Sequence, residues 1–139
     1  MLYKHRINND GKMVWKFALV SPFLYVVFIP VVILDFFLEL YHRIGFPLLG
    51  MKQLNRSDYI RMDRWKLPYL PLWDKINCWY CEYVNGFFAY AVAIAGATEL
   101  YWCGIKHKSG GGFQEPENQK EYLPYGDAKA LHEFEFGKK

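Results

Sequence analysis

Three cysteines and a histidine carry the sharpest chemical pattern in this sequence. Cys78 and Cys81 are separated by two residues, and after 21 more residues Cys103 precedes His107 by four positions. Paired ligands at such spacings can supply a tetrahedral Cys3His set for zinc, and thiolate-rich sites also hold iron. An odd number of cysteines cannot pair fully within one chain, so a reducing compartment or metal ligation fits better than a disulfide scaffold. Geometry adds a condition. Were residues 81–103 one straight helix, its ends would lie roughly 33 Å apart at about 1.5 Å per residue, too far for one ion. The complete site therefore requires a break, expected at Asn85-Gly86 or at Gly96. A mixed site avoids the difficulty: with a first helix ending near His42 and a second starting near Pro71, Cys78 and Cys81 would share a membrane face with Glu39 and His42. The competing reading is packing, since free cysteine often behaves as a small buried hydrophobe and these three sit among Trp, Tyr and Ile.

Glu39-Leu40-Tyr41-His42 matches the Glu-x2-His element that helical bundles use to bind paired iron, but no second such element occurs in the chain. Asp35 and Glu39 stand one turn apart at the end of an apolar helix, where carboxylates usually face the interface; placed inside a membrane they would mark a functional site. There is no Gly-x-Ser-x-Gly, phosphate-binding glycine loop or His-Glu-x2-His. The catalytic residue, if there is one, is not named by any motif. A net charge of +3, with acidic residues interspersed, argues against nucleic acid as a partner.

The elements that must carry these residues are dominated by one apolar stretch. The chain has 139 residues, 53% of them hydrophobic and 19% aromatic, yet its mean hydropathy is only −0.09, so the apolar content is concentrated locally. Lys4, Arg6, Lys12 and Lys16 form a basic flank. Residues 17–34 then run for eighteen positions without a charge, close to what a hydrocarbon core of about 30 Å requires, and the helix extends through Asp35 and Glu39 to His42. Pro22 and Pro30 predict a bent span or a membrane-inserted hairpin. The stretch begins too late, and runs too long, for a secretory signal peptide.

Between 43 and 75, Arg43, Lys52, Arg56, Arg61, Arg64, Lys66 and Lys75 alternate with Tyr59, Trp65, Tyr69 and Trp73, the mixture of cations and amphipathic rings that suits a membrane interface. A solvated loop with ion pairs to Asp58, Asp63 and Asp74 is the plainer alternative. Pro71 suits the first turn of a second helix reaching Cys103 or His107. Ala89, Ala93 and Ala97, with Gly86 and Gly96 nearby, give that helix a small-residue face suited to close helix packing. Ser109 and three glycines form a joint, and Asp127 can cap a short helix running to Phe136.

The run Tyr41-His42-Arg43, the segments from Tyr59 to Arg64 and Lys66 to Leu70, Asn77-Cys78 through Asn85-Gly86, and Tyr101-Trp102-Cys103-Gly104-Ile105-Lys106-His107 resemble a family of small uncharacterised bacterial membrane-associated proteins. The likeness covers roughly residues 30–126. It implies a bacterial source and a defined fold unit and transfers no catalytic role. Trp65 stands where that family suggests histidine, and Glu82 where it suggests a small residue.

The sequence thus predicts an all-α protein of two main helices, with a membrane-associated domain at 1–107 and a flexible polar tail at 108–139. Its expected place is the bacterial inner membrane, its partners are lipid and either a membrane protein or a second copy, and its expected role is structural or accessory. A zinc or iron protein using Cys78, Cys81, Cys103 and His107, or a membrane enzyme of unknown reaction, are the alternatives. With one span, 13 of the 17 Lys and Arg residues lie on the C-terminal side, which would then be cytoplasmic.

Overall fold

The computed structural model describes residues 14–136, so the basic flank from Lys4 to Lys12 lies outside the described residues. Among the described residues, four α-helices follow one another: α1 (Val14–Val26), α2 (Phe28–Leu48), α3 (Leu72–Cys103) and the short α4 (Ala128–Phe136). No strand occurs among the described residues; a single parallel bridge joins Ile105 to Leu123.

α1 and α2 form one rod with an interruption at Val27, and the prolines do not fold it into a hairpin. Pro30 has no N–H to offer the carbonyl of Val26, where α1 ends. Val27 nonetheless keeps helical dihedrals, φ −62° and ψ −24°, and the next turn closes through Val31 N–H to the Val27 carbonyl at 3.2 Å. The segment Ala18–Leu48 is long and apolar enough to cross a membrane, and only 6% of its most apolar window is buried against the rest of the protein.

α3 follows from its sequence in a simpler way. Pro71 stands at the N-cap and a 32-residue helix proceeds without a break to Cys103, roughly 48 Å at about 1.5 Å per residue. The packing direction is the unexpected feature. Tyr25 meets Asn77 and Tyr80, Phe28 meets Tyr80 and Tyr83, Asp35 meets Tyr83, His42 meets Tyr90, and Tyr41 meets Thr98. Residue numbers rise together, so α2 and α3 are parallel.

Parallel neighbours need a return connection, and residues 49–71 provide it by running back along both helices. Leu54 lies beside His42, Arg56 beside Asp35, Arg64 beside Glu82 and Trp65 beside Lys75. Gly86 is what lets the connector lie close, because a Cβ there would fall 2.9 Å from Ile60 Cα and from the Tyr59 carbonyl oxygen.

Two buried clusters hold the unit together. Val31, Tyr80, Val84 and Phe87 form one, with Tyr25, Phe28, Leu38 and Ile60 around it; Phe46, Tyr90 and Ile94 form the other, edged by Tyr41, Met51, Leu54, Tyr59 and Ala97. Burial of each aromatic or aliphatic side chain contributes about 1.5–3 kcal/mol. On α2 the inward positions Val31, Asp35, His42 and Phe46 fall on one stripe, while Val32, Ile33, Phe36, Phe37, Leu40 and Ile44 are exposed.

The small-residue face of α3 receives chain segments more than helices. Gly86 admits the connector, and Gly96 admits Asn118, whose Nδ2 would lie 2.8 Å from an added Cβ. Beyond the glycine joint, residues 116–123 pack back on α3: Gln119 Nε2 donates to Glu99 Oε1 at 2.8 Å and the Tyr122 hydroxyl to the Gly96 carbonyl at 2.9 Å. The short helix is capped as its sequence predicts, Asp127 Oδ1 accepting from Lys129 N–H at 3.1 Å and Ala130 N–H at 2.9 Å.

Candidate functional site

The most concentrated polar chemistry lies where α2, α3 and the connector meet. Asp35 sits on the inward stripe of α2 and takes a two-pronged pair from Arg56: Nη1 to Oδ1 at 2.5 Å and Nη2 to Oδ2 at 2.6 Å. The Tyr83 hydroxyl, from α3, donates to the same Oδ2 at 2.6 Å. One carboxylate therefore joins all three elements. Fork-on-fork pairing of this kind is stronger and more directional than a single contact.

One turn further, a second chain of hydrogen bonds repeats the joining. Leu54 N–H donates to His42 Nε2 at 2.9 Å, so that nitrogen is unprotonated and the ring proton resides on Nδ1. Nδ1 faces the Tyr90 oxygen at 2.9 Å, and the Tyr90 hydroxyl donates to Glu39 Oε2 at 3.0 Å. Glu39 Oε1 accepts from Arg43 Nε at 2.7 Å. The Arg56 guanidinium also lies over the Tyr90 ring, 5.5 Å from its centroid, a favourable cation–π distance.

The electrostatics follow from these contacts. Hydrogen bonding to Asp35 holds the Arg56 guanidinium above its ordinary range. Burial, then the bond to Asp35, pushes Tyr83 up to about 12; burial and Glu39 do the same to Tyr90, also to about 12. Both phenols remain donors at neutral pH. Every ionisable side chain in the cluster is thus already engaged, and both ring nitrogens of His42 are spent on protein partners. The arrangement acts as a clasp between helices, and a general acid or base here would first have to surrender one of its bonds. Two open clefts of about 500 and 370 Å³ flank it, meeting at Glu39, Arg43 and Arg56; the larger is otherwise lined by Val32, Asp35, Phe36 and Leu40.

The residues of the cysteine pattern are placed differently. α3 is continuous from Cys81 to Cys103, with no break at Asn85-Gly86 or at Gly96, so the two halves of the pattern stand at opposite ends of the helix. Cys103 is the last helical residue, and His107 lies beyond it with its ring against Phe113, centroids 5.4 Å apart. The mixed arrangement with Glu39 and His42 does not form either, because it assumed antiparallel helices. In the parallel pair, Cys78 and Cys81 fall level with Tyr25 and Phe28, while Glu39 and His42 face Tyr90. Cys81 reaches the surface, and desolvation and then Cys78 push its thiol up. Among the described residues, no three His, Cys, Asp or Glu side chains converge as metal ligands.

Sequence reasoning singled out Asp35, Glu39 and His42 but expected the carboxylates to face the interface; Asp35 is buried and Glu39 half-buried instead. It missed Tyr83 and Tyr90, whose only signal is their spacing of seven on one helix face, and it grouped Arg56 with the other connector cations. Compared with known protein families, curated proteins and solved structures, the chain matches none.

Proposed function

We propose that this chain is a small membrane-associated protein with a structural or accessory role in the bacterial inner membrane, its partners being lipid and either a membrane protein or a second copy. One observation carries the reading: the rod formed by α1 and α2 leaves Leu19, Val20, Phe23, Ile29, Ile33, Phe36, Phe37 and Leu40 exposed while burying Asp35 and His42 and half-burying Glu39 on its inner side. An apolar surface of this extent is unstable in water and stable against hydrocarbon. The inner-membrane assignment draws on the resemblance to small bacterial proteins, and the accessory role on a cluster whose polar groups hold each other.

Fractionation of cells expressing the full chain tests the proposal. The expected result is recovery with membranes, release only by detergent, and co-purification of a fixed set of partners or a defined oligomer. Monodisperse protein recovered without detergent would overturn it. Elemental analysis of the same preparation separates it from a zinc or iron protein: stoichiometric metal that disappears in Cys78→Ser and Cys103→Ser would replace the accessory reading with a metal one.

A further inference from the structure

We infer that the chain does not cross the bilayer but lies along one leaflet, with the α1–α2 rod sunk in the outer hydrocarbon and both α3 and the connector on the aqueous side. This rests on the membrane reading above and names its geometry.

The parallel packing of α2 and α3 is the first ground. α3 and its neighbours accompany the rod from Leu24, whose carbonyl takes a hydrogen bond from Tyr80 at 2.8 Å, as far as Phe46, which packs with Ile94. Any upright insertion of Ala18–Leu48 would therefore carry α3 and the connector into hydrocarbon with it.

The second ground is what the connector exposes. Lys52, Asp58, Arg61, Asp63, Arg64 and Lys66 all face outward along the return path. Exposed charges of both signs distributed over that length require water or headgroups beside them. The third is length. The 31 residues of Ala18–Leu48 extend roughly 46 Å at about 1.5 Å each, well beyond a hydrocarbon core of about 30 Å. Lying flat removes the mismatch. An in-plane helix sinks about 5–10 Å into the boundary, comparable with the thickness of a single helix, so the rod would be immersed and the charges of the connector left outside.

Charge and aromatic placement select lipid as the occupant of the apolar face over a second copy. The connector carries five cations against two carboxylates. Arg43, the exposed charge beside the apolar stripe of α2, has a side chain 73% exposed. Exposed Trp65, Trp73 and Trp79 gather at the α3 N-terminus near Lys66 and Lys75. Cations and indole rings bordering an apolar face match anionic headgroups above acyl chains.

The native thiols test this. Cys81 and Cys103 are exposed at separated points of α3. Two variants, Cys78→Ser/Cys103→Ser and Cys78→Ser/Cys81→Ser, leave one thiol each. Sealed spheroplasts and inside-out membrane vesicles from the expressing bacterium are treated with a membrane-impermeant maleimide. Labelling of both thiols from the same side supports the in-plane geometry. Labelling from opposite sides overturns it while leaving membrane association intact. Protein found in the soluble fraction without detergent removes the underlying membrane reading as well. Should a variant fail to accumulate, trypsin acting on the unaltered chain gives the same answer: cleavage at Arg61–Lys66 and at Lys108 from one side supports the proposal, and cleavage from opposite sides overturns it.

Discussion

Asp35 and Glu82 each tie the connector to a helix, and they do so with very different completeness. Asp35 on α2 has both oxygens occupied, by the fork of Arg56 and by Tyr83. Glu82 on α3 has a side chain only 3% exposed, yet it receives just the Arg64 N–H, at 3.0 Å, and an Arg64 Nε at 3.5 Å, while its Oε2 has no partner. The Arg56 side chain is 33% exposed and that of Arg64 is 56% exposed. Burial of charge stabilises only when geometry and hydrogen bonds replace the lost water. The Asp35 cluster meets that condition, and the Glu82 contact meets half of it.

Substitutions turn this contrast into measurable differences. Asp35→Ala is expected to have the largest effect, a loss of about 3 kcal/mol in unfolding followed in detergent, because Arg56 is left without its counter-charge. The double variant Asp35→Ala/Arg56→Met should recover part of that loss; strict additivity would show that the two residues do not act as a pair. Gly86→Ala comes next, at about 1–3 kcal/mol, since the added methyl meets the connector backbone at 2.9 Å. Gly96→Ala should cost less, because the atom it meets belongs to the Asn118 side chain, which can move aside. Tyr90→Phe is expected to lose about 1–2 kcal/mol by leaving His42 and Glu39 each short of a partner. A Tyr90→Phe protein as stable as the parent would remove the second hydrogen-bond chain from the account. Glu82→Gln sits at the small end: one oxygen is already unpartnered, so stability should change by less than about 1 kcal/mol. An effect matching that of Asp35→Ala would erase the distinction between the two carboxylates.

The helices were legible in the sequence because their signals are local. Eighteen uncharged residues announce the rod, Pro71 announces the start of α3, and Asp127 announces α4. The turn that Pro30 puts into the rod was legible in position but not in size: Val27 stays helical, so a missing hydrogen bond became an interruption and not a hairpin. What the sequence could not disclose was direction. Nothing in the composition of residues 49–71 distinguishes a loop lying on a membrane surface from one threading back between two helices. That choice depends on pairings such as Arg56 with Asp35 and Gly86 with Ile60, whose members are far apart in the chain. The candidate site shared this limitation. Asp35, Glu39 and His42 stood out as ionisable groups in an apolar helix, whereas Tyr83 and Tyr90 acquire their role only once α3 lies parallel to α2. The cysteine pattern was the reverse case, conspicuous by spacing and then separated by a helix that never breaks.

The order in which the clasp is assembled has a consequence for biogenesis. Glu39 must wait for Tyr90, 51 positions later, and at about 5–20 residues per second synthesis of that interval takes roughly 3–10 s. During this delay the nascent rod exposes its carboxylates and an imidazole with no phenol to meet them. Until α3 emerges, those groups lack the hydrogen-bond partners that offset their burial, so the inner stripe of the rod stays uncovered until the second half of the chain has been made.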